Sequence, residues 1–110
     1  MATSRRLQQL EAMLADEPND PFLRYGLAME YSSLGDDTSA VQVLQDLIRL
    51  DDQLPYIPAF LMCGQALVRL QREDEAIHLL KEGTTAARRA GTPESLHALG
   101  ELQGLLATIE

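Results

Sequence analysis

Residues 24–52, RYGLAMEYSSLGDDTSAVQVLQDLIRLDD, and residues 60–89, FLMCGQALVRLQREDEAIHLLKEGTTAARR, are two copies of one pattern. At a separation of 36 residues Leu27-Ala28 lies over Cys63-Gly64, Tyr31 over Leu67, Ala40 over Ala76, Leu44 over Leu80, and Leu47 over Gly83. A period of this length belongs to helical solenoids, where each repeat buries its apolar side only by stacking on a neighbour.

Working outward, the remaining residues supply helices on either side. The segment from Ser4 to Ala15 has Leu7, Leu10, Met13 and Leu14 spaced three and four apart, which predicts an amphipathic helix with these four on one face. Asp20-Pro21 is a helix start: the Asp carboxylate accepts a free backbone N–H, and proline at the first helical position gives up no hydrogen bond. The helix that follows is expected to end near Leu34, with Gly35 supplying a left-handed turn. Asp36-Asp37 opens a third helix, which stops near Asp51-Asp52. A fourth starts near Pro58 and runs to about Leu70, and Gln71-Arg72 forms a minimal turn. Glu73, Asp74 and Glu75 begin a fifth and Arg88, Arg89 and Gly91 close it, so the charges oppose the helix dipole at both ends. Thr92-Pro93 starts a sixth, which reaches about Ile109. Short links between six helices imply antiparallel neighbours.

Composition narrows the function. A chain of 110 residues has room for one domain, and 45% apolar residues suit a folded globule. Aromatics make up 5% and Trp is absent. Nine Lys and Arg stand against 17 Asp and Glu, a net charge of -8, which disfavours phosphate backbones and anionic membranes alike. A basic partner would be steered in; solubility alone also accounts for acidity. The single cysteine, Cys63, allows no internal disulfide and no thiolate pair for a metal. MATSRRLQQLEAML, residues 1–14, has no long apolar core, and no apolar run approaches the ~20 residues of a membrane span, so a reducing cytoplasm is expected.

The two copies resemble tetratricopeptide repeats, whose pattern is an aromatic, a Leu-Gly pair and a Tyr on one helix, then a small and a bulky apolar residue on the next. Phe60, Cys63-Gly64, Leu67, Ala76, Leu80 and Gly83 carry the pattern in one copy; Leu27-Ala28, Tyr31, Gly35, Ala40, Leu44 and Leu47 carry it in the other. Arg24 departs from the expected aromatic and Gln71 from the turn glycine, and residues 53–56 lengthen the repeat by about two over the usual 34. Leu10, Met13 and Pro18 resemble the end of a second helix, and Leu96, Leu99-Gly100 and Gln103 a first helix. The resemblance implies an all-α, right-handed superhelical solenoid of antiparallel helix pairs: a half repeat at 4–18, full repeats at 21–54 and 57–90, and a capping helix at 93–109. Arg6, where a small residue usually packs, and Gln103, where a Tyr usually packs, fit open ends whose outer faces are wetted.

In this family the first helix of each pair lines a concave groove. Carried over, that face holds Phe22, Tyr25, Met29, Ser32 and Ser33, then Leu61, Met62, Gln65, Val68 and Arg69, then His97 and Glu101. Tyr25, Met29, Leu61 and Met62 make either a soft apolar strip for a peptide or helix, or part of the core. A subgroup of the family grips the carboxylates of heat-shock chaperone tails with Lys, Arg and Asn. The corresponding places here hold Tyr25, Met29, Met62, Glu94 and Ala98, so no such tail is expected to bind.

Nothing else in the chain points to chemistry. Cys63 reads as a buried, inert thiol, and His78 and His97 as surface residues on different helices without metal-motif spacing. Asp36-Asp37 and Asp51-Asp52 read as helix-end caps. No phosphate loop or nucleophile elbow occurs, and no cofactor or metal is expected. The expected function is a non-enzymatic adaptor holding a protein or peptide in the groove with roughly micromolar affinity. The alternative is a weak homodimer through the apolar arc of the last helix, Leu96, Leu99, Leu102, Leu105, Leu106 and Ile109.

Overall fold

A computed structural model describes residues 3–110; Met1 and Ala2, the start of the stretch read for a leader, lie outside the described residues. Among the described residues there are six helices and no strand: α1 Arg5–Asp16, α2 Pro21–Ser33, α3 Asp37–Arg49, α4 Pro58–Arg69, α5 Glu73–Ala90 and α6 Pro93–Ile109. Their boundaries follow the local chemistry. Ser4 Oγ accepts from the Leu7 N–H (3.0 Å), Asp20 Oδ1 from the Phe22 N–H (2.9 Å), Asp36 Oδ1 from the Ser39 N–H (3.1 Å), and Thr92 Oγ1 from the Ser95 N–H (3.0 Å). Each side chain satisfies a donor that the first helical turn leaves free. Gly91 closes α5 in the left-handed region, φ 65°.

The repeat is written in the backbone as well as in the side chains. At the end of α2, Leu34 N–H donates to Glu30 O (3.0 Å), Gly35 N–H to Ser32 O (3.0 Å) and Asp36 N–H to Tyr31 O (2.9 Å). At the end of α4 the same three bonds recur 36 residues later: Leu70 to Ala66 (3.0 Å), Gln71 to Val68 (2.9 Å) and Arg72 to Leu67 (2.8 Å). The turn needs a positive φ at its second residue. Gly35 supplies it at 79°, and Gln71 is forced to it at 61° despite carrying a Cβ.

Consecutive helices pack on one another from α1 to α6, and α4 also packs on α6. The main core runs from Ala28 and the inner face of α3 through α4 and α5 to Leu102 and Leu106 of α6. A smaller cluster of Leu7, Leu10 and Leu27 holds α1 against α2. Ion pairs stitch the junctions: Arg6 with Glu30 (3.6 Å), Arg69 with Asp37 (2.9 Å), Arg49 with Glu82, and Lys81 with Glu110 (3.7 Å).

Four expectations need adjustment. Met13 is half exposed rather than buried with Leu7 and Leu10, because α1 has a neighbour on one side only. Arg6 is not merely at an open site; it pairs with Glu30. Asp51 caps a loop turn, accepting from the N–H groups of Gln53 (2.9 Å) and Leu54 (3.0 Å), and not a helix end. Leu96 points half out of the apolar arc of α6, while Leu102 and Leu106 are buried.

Candidate functional site

The face read as concave comes from α2, α4 and α6, and each of these helices has one side committed to the core. Leu27 and Ala28 of α2, Ala59, Phe60, Cys63, Gly64, Ala66 and Leu67 of α4, and Ser95, Leu102 and Leu106 of α6 are buried. Helical geometry turns the intervening positions outward. Phe22 is 74% exposed and Met29 51%. Ser33, Gln65, Arg69, His97 and Glu101 are exposed, and Tyr25, Leu61 and Met62 are half-buried, resting one side on the core. Ser32 and Val68 are half-buried too.

Two of these residues, Phe22 and Tyr25, meet a neighbour that the sequence reading missed. The ring of Tyr56, in the segment between α3 and α4, stands 5.3 Å from that of Tyr25 and edge-on to that of Phe22 at 6.0 Å. Burial raises the Tyr25 phenol above its ordinary pKa, and Tyr56 and the charge of Glu101 raise it further. The signal for Tyr56 was the insertion itself: the extra residues at 53–56 carry an apolar Leu-Pro-Tyr run that a plain linker has no use for.

The face carries few charges, Arg69 and Glu101 among the predicted residues. Its one cation among the predicted residues, Arg69, is spent: its Nε donates to Asp37 Oδ2 (3.0 Å) and its Nη2 to Asp37 Oδ1 (2.9 Å) and Ser32 Oγ (3.0 Å). Those bonds hold the Asp37 carboxyl below the usual carboxylate range. His97 lies beside Glu101, Nε2 to Oε1 3.7 Å. The network ties α2, α3 and α4 together.

The reactive side chains are placed elsewhere or are inert. Burial pushes the Cys63 thiol up to about 12, far from a thiolate at neutral pH. His78 is exposed on α5, away from His97 on α6. Among the described residues no group of three His, Cys, Asp or Glu is disposed to hold a metal ion, and no helix is long and apolar enough to cross a membrane.

No family model and no curated protein matches the chain. Solved structures do. The crystal structure of a tetratricopeptide repeat domain protein from Salinibacter ruber superposes with a TM-score of 0.70 at 31% identity, covering 82% of this chain and 94% of that one. A solution NMR structure of a tetratricopeptide repeat domain protein from the same organism gives 0.73 at 32% identity, covering 84% and 89%. With the six-helix order, the recurrence of the turn at 36 residues and this likeness over most of both chains, the protein belongs to the tetratricopeptide repeat family.

Proposed function

We propose that the chain is a non-enzymatic adaptor of the cytoplasm that binds a peptide or helix across α2, α4 and α6, its two repeats at 21–54 and 57–90 flanked by a half repeat and a capping helix. One observation carries the reading: all ten predicted contact residues, Phe22, Tyr25, Met29, Ser33, Leu61, Met62, Gln65, Arg69, His97 and Glu101, are exposed or half-buried, while Leu27, Ala28, Phe60, Cys63, Leu67 and Leu102 of the same three helices are buried. The apolar members give adaptable contact surface, and two repeats offer an interface of modest size, consistent with roughly micromolar affinity. The partner recovered from the protein's own host, titrated into labelled chain, should shift the amides of Tyr25, Met29 and Leu61. Met29→Glu should abolish those shifts and leave the helical circular dichroism intact. Shifts confined to the convex helices α3 and α5 would overturn the reading. Arg69 is already neutralised by Asp37, so an acidic chaperone tail should show no heat of binding in calorimetry.

A second reading, self-association through α6, is favoured by one feature. Leu96 is half exposed, and a Cβ placed on Gly100 or Gly104 meets nothing within 4 Å, so that side of the helix is open. A monomeric mass by light scattering at ~100 µM, well above typical weak dissociation constants, would count against it.

A further inference from the structure

The two extra residues of the α3–α4 connection do more than lengthen the repeat. They bring Leu54 and Tyr56 over the ends of the helices and wall off a cavity of about 640 Å³, within the range of small-ligand sites. Leu47 of α3 contributes buried apolar floor, and Leu50, Leu54, Ile57 and Ala98 complete an apolar lining. Leu54 is 76% exposed and Leu50 41%, so both leave apolar surface in contact with solvent at the cavity. The hydroxyls at one side are not free to recruit a ligand: Thr92 and Ser95 are closed on each other in a capping box, Ser95 Oγ accepting from the Thr92 N–H (2.8 Å). What remains at the rim is charge of one sign. Asp51 and Glu94 line the cavity, and among the described residues neither forms an ion pair and no Lys or Arg lines it.

We infer that this cavity is a second binding site, which takes a bulky apolar side chain of a basic peptide segment, one with Lys or Arg on either side of the inserted residue. The apolar walls need a side chain to desolvate them, and the rim carboxylates, on a chain of net charge -8, select cationic flanks. The site lies at the N-terminal ends of α2, α4 and α6, where Pro21, Pro58, Glu94 and Ala98 line it, and it adjoins the rest of that face at Tyr56, whose ring contacts Phe22 and Tyr25. A partner could therefore span both, but the cavity binds its peptide whether or not the face binds one.

The test uses three blocked tripeptides, Ac-Arg-Leu-Arg-amide, Ac-Glu-Leu-Glu-amide and Ac-Arg-Gly-Arg-amide, titrated at millimolar concentration into the labelled full chain. The first should shift the amides of Leu54, Tyr56, Ala90 and Ser95 in a saturable manner; the other two should leave them in place. Asp51→Asn with Glu94→Gln should weaken the first peptide roughly fivefold to tenfold, the size expected of two exposed charge pairs. Ala98→Leu, which fills the cavity from an already apolar position, should abolish the shifts with the circular dichroism unchanged. Equal shifts from the acidic peptide would overturn the charge selection, and equal shifts from the glycine peptide, or none from any, would overturn the site. Amides of Met29 and Gln65 report the helical face, so failure of one site is read separately from failure of the other.

Discussion

The first and second helix pairs share a hydrogen-bond scaffold but distribute volume across it differently. Where α2–α3 has Arg24 and Leu47, α4–α5 has Phe60 and Gly83 at the same two places. Leu47 is buried, and Arg24 turns away to donate from Nε to Pro18 O (2.8 Å). In the second pair the bulk sits on the other helix: a Cβ on Gly83 would come within 2.8 Å of Phe60 Cβ and Cγ. One turn on, the bulky leucine stays on the second helix of both pairs and only the small residue facing it changes. Ala28 faces the Leu44 position in the first pair, whereas Gly64 in the second leaves no room, its would-be Cβ 2.6 Å from Leu80 Cδ2. The difference follows from position in the stack. The second pair has α3 on one side and α6 on the other and buries six residues of α4. The first pair meets only the small α1 cluster on its outer side and buries two residues of α2. Stability should therefore be concentrated in the middle of the stack and thin out toward the ends.

The largest effect expected is at the centre. Leu80→Ala should cost about 2–5 kcal/mol in denaturant unfolding, as a fully buried leucine leaving a cavity. Next, Gly64→Ala should cost about 1–3 kcal/mol by overpacking. In the Leu80→Ala background that cost should vanish, because the atoms it strikes all lie beyond Leu80 Cβ; additive costs in this cycle would break the comparison. At the open end the sign reverses: Gly100→Ala, in α6 with no neighbour near its Cβ, should stabilise by about 0.5–1 kcal/mol through helix propensity. Gln71→Gly should stabilise by about 0.5–1 kcal/mol, because relief of a left-handed backbone outweighs the extra freedom of the unfolded glycine. The smallest effect concerns the Asp37–Arg69 link between the pairs. The Asp37 pKa is lowered in the fold, so its contribution is fully present above the ordinary aspartate value, about 4, and is lost as pH falls through the folded value. Melting temperatures of the protein and of Asp37→Asn should therefore converge as the pH drops below about 4.

Most helix boundaries were legible because each is set by local chemistry: Asp20 before Pro21, Asp36 before α3, Thr92 before Pro93, and Gly35 and Gly91 at left-handed turns. Gln71 was recognised as a departure from the turn glycine, and the backbone keeps the turn regardless, since the three flanking hydrogen bonds recur. The placement of Met29, half exposed, and of Tyr25, Leu61 and Met62, half-buried against the core, was less legible. Methionine and leucine at helical spacing read equally as core or as groove, and only the packing of the neighbouring helices tells them apart. Tyr56 and the cavity were not legible at all, because they depend on where an eight-residue connection folds relative to three helix ends.

By itself the sequence determined that there are six rods, where most of them begin and end, and that the middle four repeat with a period of 36, because caps, proline, glycine and small-bulky spacing act over a few residues. Only the tertiary structure decided which bulky residue fills each interhelical space, that Arg69 is spent on Asp37, and that Tyr56 joins Phe22 and Tyr25 beside an acid-rimmed cavity. Those outcomes turn on distances between residues tens of positions apart, which no local preference encodes and which are fixed only when all the helices are packed at once.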